Sequence, residues 1–196
     1  MGTREDIIAA AARIMRSDGY ARATTKQIAR AAGYSEAALY KHFDDKTEIF
    51  LSVLAEQLPG LVRLLAELNS REPGEDVRAD LVEVARTAIE FYAETFPLAV
   101  SVFSSRDFLA AHRDRLREVD PTAGPARPLR ELAGYLRGAR DRGGLPEGAD
   151  PDALAALLLG ACFQQAFLID FEGGPLDADE VHALAERLVG TLTAGW

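Results

Sequence analysis

Residues 24–50, TTKQIARAAGYSEAALYKHFDDKTEIF, read as two short helices joined by a tight turn and running directly into a third. Thr24 and Gln27, three apart, form the reciprocal pair that caps a helix start from both sides. Ile28, Ala29 and Ala32 then keep helical spacing. Gly33 is at ease with the positive φ of a helix end, and Ser35 can cap the next helix by accepting a backbone N–H. Leu39 and Phe43, four apart, make the buried side of that second helix. Glu36, Ala37, Tyr40 and Lys41 are left facing outward, where the major groove of double-stranded DNA could meet them. The pattern is a helix-turn-helix.

At these residues the chain resembles the TetR family of one-component transcriptional regulators, whose DNA-binding segment commonly runs T-x-x-x-I-A-x-x-A-G-x-S-x-x-x-x-Y-x-x-F-x-x-K. Thr24, Ile28, Ala29, Ala32, Gly33, Ser35, Tyr40, Phe43 and Lys46 meet that pattern. The departures are Tyr34, where a small aliphatic residue is usual, Ala37, where glycine is frequent, and Thr47, where an acid is common. The resemblance implies an all-α fold. Residues 1–46 would form a three-helix DNA-binding domain and residues 47–196 a larger helical domain for ligand binding and dimerisation. It also implies, in the usual case, a repressor released by a small-molecule effector; the surplus apolar surface of the two C-terminal helices adds a homodimer and hence a palindromic operator, and the cytoplasm is the default expected of the composition.

The net charge of −9 is at odds with a nucleic-acid binder until it is divided along the chain. Residues 1–50 carry eight Lys/Arg against seven Asp/Glu, and the remainder carries fourteen against twenty-four. The acid sits away from the motif, where it disfavours indiscriminate binding to DNA without opposing a local phosphate contact. A 48 % hydrophobic content is enough for a real core, and with Cys162 as the only cysteine an internal disulfide is excluded. No apolar N-terminal run follows basic residues, so a signal peptide is not indicated.

Working outward, Thr3 and Asp6 are read as the cap of a first helix with the apolar stripe Ile7, Ile8, Ala11, Ile14 and Met15, ended by Gly19. Arg4, Arg13 and Arg16 are read as solvated. Asp45 and Glu48 start a long connector whose apolar positions persist to about residue 69, with Pro59 expected to kink it. REPGED, residues 71–76, is a loop. Val77 to Tyr92 is amphipathic, with Pro97 expected to end that helix. Short apolar pieces follow to Leu116, then PTAGPARP and a helix from Leu129 to Arg142. Asp152 to Phe171 is apolar almost all round, which means burial on more than one side. It carries Gln164 and Gln165, and Ala153 to Ile169 is short for a membrane span, so it is read as packed on its own domain by one face and on a second subunit by the other. The last helix, Asp177 to about Thr193, shows Val181, Leu184, Ala185, Leu188 and Leu192, a stripe suited to the same interface.

His42, His112 and His182 stand apart with no second ligand at a metal spacing. Cys162 in an apolar helix is a small buried hydrophobe, and no phosphate-cradling glycine loop or nucleophile elbow occurs. No enzymatic activity, metal or cofactor is therefore expected, and the competing reading is a helical adaptor that has lost DNA contact. For DNA, Thr25, Tyr40, His42 and Lys46 are expected on phosphate, while Ser35, Glu36, Ala37 and Lys41 face base edges or the adjoining backbone. Tyr40 could instead pack inward. By the family resemblance, Phe91, Tyr92, Phe96, Phe103, Phe108, Phe163, Gln164 and Phe167 are candidates to line a largely apolar effector cavity, with an ordinary core as the plain alternative for the aromatics.

Overall fold

The structure is a computed structural model describing residues 2–56, 60–70, 76–103, 106–119, 121–122, 124–173 and 177–196, and among them every regular element is a helix. In chain order these are α1 (Thr3–Asp18), α2 (Thr25–Ala32), α3 (Glu36–Leu39), α4 (Lys46–Glu56), α5 (Leu61–Ser70), α6 (Val77–Phe103), α7 (Arg106–Val119), α8 (Arg127–Asp141), α9 (Pro151–Glu172) and α10 (Ala178–Leu192). The expected all-α class stands.

The contacts gather the chain into two compact units, one of residues 1–58 with 94–123 and one of residues 59–93 with 124–196. This division differs from the boundary expected at residues 46/47, for a physical reason. In the first unit Ile7, Ile8, Met15, Ile28, Leu39 and Phe43 share one core with Ile49, Phe50 and Val53 of α4 and Val102 of α6, and Leu109 of α7 packs against it. The helix-turn-helix therefore completes its core with residues remote in sequence. In the second unit Leu61, Leu65 and Leu68 of α5 pack with Leu81, Val84 and Ile89 of α6, Leu132 and Leu136 of α8, Leu158, Leu159 and Cys162 of α9, and Val181, Ala185 and Val189 of α10.

Three details correct the sequence reading. Gly2, not Thr3, is the N-cap of α1, with its N–H donating to Glu5 Oε2 at 3.1 Å. Asp6 instead accepts from the Tyr34 hydroxyl at 3.0 Å, which gives the unusual Tyr34 a task tying the turn to α1. Finally, α6 does not end at Pro97 but continues to Phe103. A proline removes one helical hydrogen bond, and a long helix anchored on either side, here at Ile89 and Val102, outlasts that loss. Pro59 and residues 71–75 of the expected loop lie outside the described residues.

Arg4 and Arg16 are not simply solvated. Arg4 donates to Ser52 Oγ at 3.2 Å and stacks over the Phe43 ring, and Arg16 pairs with Glu94 at 3.4 Å. On α9, Ala155, Leu158, Leu159, Cys162 and Ala166 are buried, while Leu157, Phe163, Phe167, Leu168 and Phe171 on the other side are exposed. Asp150 caps this helix and Pro151 opens it. The expected stripe of α10 is largely spent inside its own unit: Val181 and Ala185 are core, and Leu184, Leu188 and Leu192 lie partly buried at its margin.

Candidate nucleic-acid interface

The turn that presents α3 is built as the residues dictate. Thr24 Oγ1 accepts from the Gln27 N–H at 3.2 Å while the Gln27 side chain accepts from the Thr24 N–H at 3.0 Å. Gly33 takes the left-handed conformation, φ 83° and ψ 19°, and Ser35 Oγ accepts from the Ala38 N–H at 3.2 Å. α3 is a single regular turn, continued by the bonds His42 N–H to Leu39 O and Phe43 N–H to Leu39 O. Leu39 and Phe43 are buried, whereas Ser35, Ala37, Tyr40, Lys41 and His42 are exposed and Glu36 is half-buried. Tyr40, 51 % exposed, does not pack inward.

Two of the expected phosphate contacts are otherwise engaged. Thr25 Oγ1 donates to Glu36 Oε1 at 2.6 Å and lies 3.3 Å from Tyr40 Oη. Lys46 Nζ donates to the carbonyl oxygens of Tyr20, Ala21 and Ala23 at 3.0, 3.4 and 3.0 Å, and stands 4.6 Å from the Tyr20 ring centroid. Three ammonium hydrogens meet three carbonyls, so Lys46 clamps the connection between α1 and α2 instead of standing free for phosphate. Burial pushes this ammonium below the usual lysine value. The spacing of the motif located Lys46, but backbone carbonyls in an irregular connection leave no mark in a side-chain pattern.

Tyr20 and His112 were not foreseen. Tyr20 is buried, its hydroxyl lies 3.1 Å from Thr47 Oγ1, and its ring packs 4.6 Å from Phe50. Thr47, where an acid is common, was the available signal. His112 of α7 meets both rings, 5.7 Å from Tyr20 and 5.4 Å from Phe50, and its buried Nδ1 has no hydrogen-bond partner. Burial lowers the His112 pKa, partly opposed by Asp45. Its folded-state pKa thus lies below the unfolded value of about 6.5, and between the two the unfolded chain binds more protons. The His112 contribution is complete above about pH 6.5 and is lost as pH falls from there toward the folded pKa. His112→Phe is expected to flatten the acid side of a plot of thermal midpoint against pH; a slope identical to that of the unsubstituted protein would refute it.

The residues expected to line a cavity do not form one set. In the second unit Phe91 and Tyr92 are half-buried, with Tyr92 5.5 Å from Phe91 and 5.4 Å from Phe163. Burial raises the Tyr92 hydroxyl and the Cys162 thiol each to about 12. Phe163, Gln164 and Phe167 are exposed, because helical spacing from the buried Cys162 and Ala166 sets them on the outward side of α9. That placement sets Phe163, Gln164 and Phe167 on the outer stripe and not in one cavity with Phe91 and Tyr92. Phe96, half-buried, and Phe103, 67 % exposed, belong to the first unit. The Phe108 side chain lies outside the described residues. An open cleft of about 270 Å³ in the second unit is lined by Asp76, Arg78, Ala79, Val82 and Glu186, none of them in the expected set.

The family model for bacterial regulatory proteins of the tetR family matches residues 7–53. Over 165 residues the chain is 31 % identical to the nucleoid occlusion factor SlmA of Marinobacter nauticus, a match covering 84 % of this chain and 79 % of that protein. The chain belongs to the TetR family. It is a DNA-binding transcriptional regulator by fold and motif, and TetR-family regulators bind operator DNA, dimerise and respond to small molecules. Among solved structures, it is similar to the transcriptional regulator FadR of Bacillus subtilis, held in complex with stearoyl-CoA, at 19 % identity and a TM-score of 0.67 over 98 % of each chain. SmeT, repressor of the Stenotrophomonas maltophilia multidrug efflux pump SmeDEF, is 24 % identical with a TM-score of 0.67, over 97 % of this chain and 90 % of that one.

Proposed function

We propose that this TetR-family regulator acts in the cytoplasm as a homodimeric repressor, binding a palindromic operator and leaving it when a small, largely apolar effector occupies the second unit. The observation that carries the DNA reading is the outward face of α3 and its following turn, where Ala37, Tyr40, Lys41 and His42 stand exposed on a seat made rigid by the buried Leu39 and Phe43 and by the Lys46 clamp. Lys41 and His42 contact phosphate, with Ser35, Glu36 and Ala37 toward base edges. The outward stripe of α9 supports the dimer: three Phe rings of 150–250 Å² each leave roughly 300 Å² uncovered, a large patch for a small chain. Two-fold symmetry then sets half-sites about one DNA turn, roughly 34 Å, or a multiple of it, apart. No catalytic role is assigned.

α9 is long and apolar enough to cross a membrane by length and composition. Its fully buried face against α8 and α10 favours protein packing on both sides instead. An apolar effector is supported by the half-buried Phe91 and Tyr92 pair and by the stearoyl-CoA held by FadR. The signal passes along α6, one helix whose residues up to 93 count in the second unit and from 94 in the first. A ligand that prefers the released form by about 10⁴ carries a two-state equilibrium from 1:99 to 99:1.

Selection of genomic fragments bound by the purified protein tests the DNA reading. Enrichment of one palindromic sequence is expected; no enrichment would favour the adaptor reading. Long-chain acyl-CoA added to saturation is expected to lower affinity for that sequence, and equal affinity with and without it excludes that ligand as inducer.

A further inference from the structure

We infer that His112 of α7 is a positioning residue for the DNA-reading head: it seats Tyr20 only as a neutral imidazole, so that a proton on this ring weakens operator binding. The inference rests on the DNA-binding reading above. Its basis is the way three rings and one ammonium meet at the connection between α1 and α2.

Tyr20 is the hub of that meeting. Its hydroxyl lies 3.1 Å from Thr47 Oγ1, and its ring centroid is 4.6 Å from that of Phe50 and 4.6 Å from Lys46 Nζ. The same ammonium donates to the Tyr20 carbonyl and to those of Ala21 and Ala23, and Ala23 hands the chain to the Thr24 cap of α2. Whatever holds the Tyr20 ring therefore steadies the start of α2, against which α3 packs. From α7 the hold is His112, at 67° to the Tyr20 ring and 71° to that of Phe50, with centroids 5.7 and 5.4 Å away.

Protonation decides whether this contact can form. A neutral imidazole with its one hydrogen on Nε2 leaves only a lone pair at the buried Nδ1, at modest cost. An imidazolium carries a hydrogen on both nitrogens, and the one at Nδ1 is then buried with no acceptor. Among the described residues, the ionisable groups around the ring are Tyr20 of the connection, Asp45 just before α4 and Lys46 at its start. Burial raises the Tyr20 hydroxyl further above neutrality, so it does not change charge in the same range. The Tyr20 ring, which could have favoured an imidazolium, already faces the Lys46 ammonium. Burial lowers the His112 pKa, and Asp45, which favours the charged form, only partly opposes it.

The proton thus belongs to a form in which the His112 ring has left Tyr20 for water, while DNA takes the seated form. About one pH unit below the ordinary imidazole value of about 6.5, the proton favours the released form by up to about tenfold per head. Operator affinity is whole above about pH 6.5 and is lost as pH falls from there toward the seated pKa. His42, exposed on the face that meets DNA, acts with the opposite sign, because its imidazolium favours phosphate.

The test compares the unsubstituted protein with His112→Phe and His112→Gln, neither of which can gain this proton, between about pH 7.5 and about pH 5.5 at constant ionic strength. The probe is the DNA fragment enriched by genomic selection. His42 is common to all three proteins, so the ratio of affinities isolates His112. Relative to either variant, the affinity of the unsubstituted protein is expected to fall about tenfold across that range, with helical content unchanged. In the free protein, the His112 imidazole resonance, identified by its loss in His112→Phe, should titrate below about 6.5, and the amide resonances of residues 20–25 should follow the same curve. A ratio independent of pH, amide resonances indifferent to that titration, or a His112 pKa at or above the ordinary value would each overturn the inference. Absence of DNA binding at about pH 7.5 would instead remove the DNA-binding reading. The amide titration would then still decide the seat of the head, for it if the two curves coincide and against it if they do not.

Discussion

Leu157→Asp combined with Phe171→Asp is expected to leave a folded monomer whose operator affinity is about 10²–10⁴-fold weaker. Both side chains are exposed in the single chain, 62 % and 79 %, so the substitutions disturb no core, and helical content should hold. In a two-fold interface formed by α9, each would place like charges from two chains in a dry apolar layer, which is far more costly than the same acids in water. The affinity falls because one half-site no longer raises the local concentration of the second reading head. Light scattering gives the mass, and a fluorescent operator titration gives the affinity. A dimer of unchanged mass and affinity would show that this stripe is not the subunit contact.

Lys46→Met is expected to destabilise the protein by about 2–3 kcal/mol, since it removes one charged donor that the carbonyls of Tyr20, Ala21 and Ala23 share. For a chain of this size that is a fall in melting temperature of roughly 5–10 °C. Lys46→Arg should not rescue it, because a planar guanidinium cannot aim three hydrogens at the oxygens of Tyr20, Ala21 and Ala23 around one point. Operator affinity should fall alike on all sequences as the seat of α3 loosens, with the salt slope unchanged. A slope smaller by about one per half-site at unchanged stability would mean that the ammonium serves phosphate after all.

What could be read ahead of the structure was what depends on neighbours in sequence. Thr24 with Gln27, Gly33, Ser35, and the pairing of Leu39 with Phe43 are all decided within one or two turns, and each appears where its spacing placed it. The Lys46 clamp was not legible, because its acceptors are main-chain atoms more than twenty residues away. The His112 contact with Tyr20 and Phe50 was hidden similarly: an isolated histidine on a helix says nothing of the helix it will lie against. α9 posed the opposite difficulty. Apolar on all sides, it could not disclose which face was core, and Phe163, Gln164 and Phe167 became assignable only once Cys162 and Ala166 were seen to be buried. Pro97 was read by its local effect, and the anchoring of α6 on either side of it outweighed that effect.

The discontinuity of the first unit sets the timing of its birth. Its core joins Ile49 and Phe50 to Val102 and Leu109 across residues 59–93, which fold elsewhere. On a ribosome adding about 5–20 residues each second, the helix-turn-helix therefore emerges roughly 3–12 s before the last of its supports. Closing that gap costs entropy which a contiguous three-helix domain would not lose. The core of the head is complete only once α7 has followed, by which time the whole of the helix that carries the effector signal has been made.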